Sequence, residues 1–230
     1  MPYDSTITFT LDTICPWTYL GFLRLRKALA SYRATHPSSP VSFTLRIAPY
    51  QLYPDFSPVG ENKYEWYMHE KYNNSPERMD KYVAYMTALG RDEGVEMKFD
   101  EKKGEIANTL NAHRVLWWIQ ENKREEDVLN ALSSLYTQYF CESAHPSAPA
   151  TLTAACQAAG LSESETKDLV GDESEGLSEV KMAIREQVGN AVDSVPYVVF
   201  EGRRRDFTLV GAKSVAEYEK VLGQVEKEAL

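Results

Sequence analysis

Cysteine, long apolar runs and net positive charge are all scarce in this chain. Of its 230 residues only three are cysteine, and 25 Lys and Arg face 34 Asp and Glu, which leaves a formal charge of −9. A surface of that sign neither releases counterions from nucleic acid nor meets anionic lipid headgroups, so neither partner is expected. The basic run Arg203-Arg204-Arg205 falls where a hairpin turn is expected and reads as a solvated loop. No stretch approaches the roughly 18 consecutive apolar residues of a membrane span, and the start Met1-Pro2-Tyr3-Asp4-Ser5-Thr6 lacks the basic and apolar segments of an export leader. An odd, small number of cysteines does not form a secreted disulfide framework, so a reducing cytoplasm is the expected compartment. Cys141 and Cys156 are accordingly expected as free thiols. His36, His69, His113 and His145 show no ligand spacing among themselves or with the cysteines, so no metal is expected.

What is present is an ordered change of periodicity. Ile7-Thr8-Phe9-Thr10-Leu11 alternates as a strand does, and a helix follows from Trp17 that ends before Pro37. Val41 to Ile47 is a second strand, and its return through that helix predicts a parallel βαβ unit. From about Tyr64 to Leu177 the period becomes helical, with helices predicted over 79–89, 106–120, 128–140, 151–159 and 162–170. Tyr197-Val198-Val199-Phe200 and Thr208-Leu209-Val210 restore the strand signal around a Glu201-Gly202 turn, and a last helix starts near Ser214. The expected class is α/β, with residues 1–62 plus 178–230 in one domain and 63–177 as a large all-helical insertion. The insertion is rich in aromatics, among them Trp66, Tyr82, Trp117 and Tyr139, which serve as helical core or line a pocket for a flat organic molecule.

The chemistry concentrates where the first strand meets the first helix, at Asp12-Thr13-Ile14-Cys15-Pro16-Trp17-Thr18. A cysteine at a helix N-terminus faces unpaired N–H groups and the positive dipole end, which stabilise thiolate and predict a lowered pKa for Cys15. Proline at Pro16 suits the first turn. Thr18 lies one turn on, where its hydroxyl either donates toward the sulfur or serves capping and packing.

Asp12 to Gly21 resembles the active-site segment of the FrnE-like branch of DsbA-type oxidoreductases, whose motif is Cys-Pro-Trp-Cys followed by an aromatic and a glycine. Ala107-Asn108-Thr109 with Ala112-His113-Arg114 resembles a helix of that family, Ser194-Val195-Pro196-Tyr197 its cis-proline segment, and Leu209-Val210-Gly211-Ala212 its final strand-to-helix turn. The resemblance implies a thioredoxin fold with a helical insertion, a thiol oxidoreductase activity at Cys15, and a substrate-binding role for Pro16, Trp17, Asn108, His113, Val195 and Pro196. Thr18 stands where dithiol members carry their second cysteine, so a monothiol reaction is implied, completed by an external thiol such as glutathione.

The chain is also similar to 2-hydroxychromene-2-carboxylate isomerases and kappa-class glutathione transferases, which lack the cysteine pair and use glutathione as the working thiol. The Ser-Asp pair by which the kappa class holds the γ-glutamyl end would fall near Ala212-Lys213, and neither residue can accept its ammonium group. Three functions follow as expectations: a monothiol oxidoreductase on a thiol or disulfide substrate, a glutathione-dependent transferase or isomerase of an aromatic small molecule, and a non-catalytic thioredoxin-fold binding module. A homodimer is compatible with each.

Overall fold

The computed structural model describes residues 3–99 and 103–230. Met1 and Pro2 of the expected leaderless start, and residues 100–102 of the expected insertion, lie outside the described residues. Strand β1 (Tyr3–Leu11) buries Ile7, Phe9 and Leu11 almost completely, and helix α1 (Pro16–Thr35) returns the chain to β2 (Val41–Pro49). β1 and β2 pair in parallel, Ile7 opposite Leu45 and Phe9 opposite Ile47, as a helical crossover requires. In β2 the outward Ser42, Thr44 and Arg46 alternate with the inward Val41, Phe43, Leu45 and Ile47, so one face meets water and the other the core. After β5 (Tyr197–Phe200) and β6 (Phe207–Val210) the sheet order is β2-β1-β5-β6, with β5 antiparallel to β1. Helix α9 (Val215–Ala229), opened by a Ser214–Glu217 capping box, packs against α1, β2 and β5.

Contacts divide the chain into two compact units, residues 1–50 with 183–230 and residues 51–182. The second unit is nearly all helix: α2 (Lys63–Trp66) running into one π-helical turn, α3 (Pro76–Asp92), α4 (Leu110–Asn122), α5 (Glu125–Cys141), α6 (Pro149–Ala158) and α7 (Glu163–Gly171). The sequence predicts one helix over 106–120; instead, Ile106 pairs with Glu61 in a two-stranded ladder of β3 (Glu61–Asn62) and β4 (Glu105–Ile106), and the helix begins after Thr109. Helix α8 (Leu177–Gly189) belongs to none of the predicted elements, although Leu177, Val180, Ala183 and Ile184 carry the 3.6-residue spacing.

One charge in the helical unit is held at a cost. Lys63 is 1% exposed, with its ammonium 4.4 Å from the Tyr139 ring centroid and 5.6 Å from that of Phe99, and it donates to the Tyr139 carbonyl at 3.2 Å. Burial pushes its pKa down from 10.5 to about 8. The unfolded chain therefore binds more protons than the folded one between those values, so the penalty is full below about pH 8 and fades as pH rises to 10.5. Its full size is on the order of 3 kcal/mol, offset by the ring and carbonyl contacts. Lys63→Met should flatten this dependence. In urea melts across about pH 7 to 9, the stability of wild type relative to the variant is expected to rise with pH; parallel curves would place the shift elsewhere.

Candidate active site

Cys15 is the residue on which β1, α1 and the segment before β5 converge. Its backbone is extended at φ −87°, ψ 117°, its N–H donates to the Asp12 carbonyl at 3.1 Å, and its own carbonyl accepts from the N–H groups of Thr18 and Tyr19. Pro16 occupies the first helical position, where a missing N–H costs nothing. The Cys15 side chain is 4% exposed, and its Sγ donates to the Val195 carbonyl at 3.8 Å. The Val195–Pro196 bond is cis, and the Pro196 carbonyl accepts from the Gly211 N–H at 2.8 Å, which ties this loop to the end of β6. Trp17 is 38% exposed beside the buried sulfur.

The expected drop in the Cys15 pKa is overturned. The thiol is pushed up from 9.0 to about 11, first by burial and further by the nearby Asp12 charge. The N–H groups of Thr18 and Trp17 and the Thr18 hydroxyl pull the other way but do not offset it. Magnitudes explain the outcome: a helix terminus contributes about 0.3–1 kcal/mol to a charge, while a rise of two pKa units corresponds to about 2.7 kcal/mol. A sulfur with so little exposure keeps its proton and places it on a carbonyl. Thr18, fully buried, has its hydroxyl 2.7 Å from both the Asp12 and Cys15 carbonyl oxygens, so its main work is to close the turn.

Cys15, Pro16, Trp17, Thr18, Val195 and Pro196 therefore belong together in one unit. Asn108 and His113 belong to the other. Asn108 accepts from Gln51 Nε2 at 3.0 Å and from the Leu110 N–H, and it donates to the Pro54 carbonyl at 2.7 Å. Those bonds make it a staple of the chain that leads into α4. His113 lies in the first turn of that helix and is 2% exposed.

Two residues to which the sequence alone assigns no role matter here. Asp12 is completely buried and sets part of the thiol's electrostatics; an acid directly after an apolar strand was the available signal. Gly21 lies against Pro196, and a Cβ there would sit 3.0 Å from the Pro196 Cγ. Cys15, Cys141 and Cys156 are all free thiols. Among the described residues no group of three His, Cys, Asp or Glu side chains could hold a metal ion, and no helix is long and apolar enough to cross a membrane.

Comparison with known proteins places this geometry. No curated protein matches. Among solved structures, a probable DsbA oxidoreductase from Streptomyces coelicolor is 22% identical with a TM-score of 0.81, covering 97% of this chain and 91% of its own. A 2-hydroxychromene-2-carboxylate isomerase is 12% identical with a TM-score of 0.64, covering 96% and 95%. The cytosolic disulfide reductase DsbM from Pseudomonas aeruginosa is 13% identical with a TM-score of 0.55, again covering 96% and 95%. At these identities the likeness is one of fold, the α/β fold with a helical insertion. A DSBA-like thioredoxin domain profile matches residues 6–223, nearly the whole length, and the chain belongs to the DSBA-like thioredoxin domain family.

Proposed function

We propose that the protein is a monothiol oxidoreductase in which Cys15 exchanges with a disulfide substrate and an external thiol, glutathione being the candidate, completes the cycle. The observation that carries this reading is the placement of the Cys15 sulfur 3.8 Å from the Val195 carbonyl, beside the cis Val195–Pro196 bond. The thiol loses its proton to solvent, the thiolate attacks one substrate sulfur, and the S–S bond breaks. The departing sulfur takes up a proton, and Cys15 is left in a mixed disulfide. With Thr18 at the second position of the motif, an external thiolate attacks the substrate sulfur of the mixed disulfide and frees Cys15 as thiolate to be reprotonated, and a second external thiol then releases the substrate half as a thiol, the two external thiols leaving as one disulfide. The substrate's backbone lies along Val195 and Pro196, and the half-exposed Trp17 ring flanks the leaving group. Such a cycle suits a reducing cytoplasm, where a thiol donor is abundant.

The raised thiol pKa favours one alternative. A Cys15 that stays protonated is a hydrogen-bond donor, and glutathione would then supply the working thiolate of an isomerase or transferase. The relative DsbM has been solved with GSH at a TM-score of 0.51. Cys15→Ser separates the two. Glutathione-coupled reduction of an oxidised peptide is expected to fall to background in the variant. Retained turnover, with glutathione binding unchanged by isothermal titration, would transfer the chemistry from Cys15 to glutathione.

A further inference from the structure

The helical unit holds a cavity of about 560 Å³, lined entirely by residues between Pro58 and Lys181, within the range of small-molecule sites. Its walls are largely apolar: Pro58, Leu110, Ala148, Pro149 and Leu177. The polar groups on its rim are mostly engaged with one another. His145 Nδ1 accepts from the Ser147 N–H at 3.1 Å, which leaves the proton on Nε2, and that atom lies 3.1 Å from the Pro58 carbonyl. The Ser147 hydroxyl donates to the Asn108 carbonyl, and the Asn108 side chain is committed to Gln51, Leu110 and Pro54. Asn111 donates to Glu173 at 3.0 Å and accepts from Arg114, and the Glu173 charge acts on that same guanidinium.

Two polar features stand outside this network, and both favour negative charge. Lys181, exposed on α8 at the edge of a cavity that Glu173 also lines, makes no hydrogen bond or ion pair among the described residues. The cavity also reaches the start of α6, a ten-residue helix whose capping residue Ala148 has no side chain to satisfy its first N–H groups. We propose that this cavity binds a small amphipathic organic acid, its apolar body against Leu110, Pro149 and Leu177 and its carboxylate at Lys181. Lys181 is exposed, so its ammonium stays hydrated beside a neutral ligand and adds a modest attraction for an anionic one alone, while a larger polar ligand would find the rim's donors already engaged.

The site stands independently of the reading of Cys15, and its test is binding alone. The probes are 4-phenylbutyrate and the uncharged 4-phenylbutanol, titrated by calorimetry and by chemical-shift perturbation. The acid is expected to bind saturably and more tightly than the alcohol. Lys181→Met should weaken the acid about fivefold and leave the alcohol unchanged, with Lys181→Arg retaining wild-type affinity. Ala148→Trp, which fills the cavity from an ordinary backbone conformation, should remove binding of both probes. The proposal is overturned if the acid shows no saturable binding, if the two probes bind wild type equally, or if either Lys181→Met or Ala148→Trp leaves the acid's affinity unchanged.

Discussion

Thr18→Cys is expected to raise dithiothreitol-driven insulin reduction at least tenfold over wild type, whose mixed disulfide has only dithiothreitol itself to resolve it. Positions 15 and 18 sit one helical turn apart with Thr18 facing inward, and residues three apart in a helix bring their Cα atoms to about 5–6 Å, the usual disulfide separation. The substitution gives up a hydroxyl that bonds two carbonyls, a loss of about 1 kcal/mol, which is small beside the gain of a resolving thiol. A Cys-Pro-Trp-Cys pair can expel substrate from the mixed disulfide internally, whereas wild type waits for an external thiol. Wild-type activity equal to the variant's would mean that dithiothreitol, or a thiol elsewhere in the chain, already resolves the intermediate as fast as a second motif cysteine. Cys141 and Cys156 are then the residues to replace.

Gly21→Val is expected to cost both stability and activity. A single Cβ at position 21 meets the Pro196 Cγ at 3.0 Å, the Tyr218 hydroxyl at 3.4 Å and the Ala212 Cα at 3.6 Å, so valine adds two methyl groups to a place already tight at the Cβ. Overpacking of this kind typically costs about 1–3 kcal/mol. The strain falls on the loop that holds the Val195 carbonyl over the Cys15 sulfur, so the reduction rate should drop about tenfold or more while the thiol, less covered, alkylates faster. A loss of midpoint in urea with unchanged activity would show Gly21 to be a packing residue only. An unchanged midpoint would show that the close approach of Gly21 to Pro196 carries no packing constraint.

The fold was largely legible because its signals are local. Alternation along Val41 to Ile47 predicts both the strand and its inward face, and the Ser214–Glu217 capping box marks the start of α9 within a few residues. The short β3–β4 ladder was not legible, since two-residue strands carry no periodicity and pair across more than forty positions. Helix α8 had its spacing in view and was obscured by an expected return of the α/β pattern at 178.

The site divides in the same way. Cys15 at the start of α1 follows from the strand-to-helix turn, and the cis bond at Pro196 follows from resemblance. The sulfur's environment could not be read, because the carbonyl that covers it lies 180 positions later in the chain. Helix position predicts a thiolate; tertiary burial leaves a thiol, because desolvation outweighs the pull of the helix terminus. Lys63 is the parallel case, since a lysine that opens a short helix gives no sign that three aromatic rings will close over it.

Cys15 as the attacking sulfur is tested most directly by peptide mapping of the mixed disulfide formed with oxidised glutathione when no reductant is present. A glutathionyl adduct is expected on Cys15 in wild type and on no equivalent position in Cys15→Ser. With the thiol pKa near 11, its rate of formation should rise close to tenfold for each pH unit across the neutral range. An adduct confined to Cys141, or a Cys15 rate that stays level from about pH 6 to pH 8, would contradict a buried, protonated Cys15 that reacts through its thiolate.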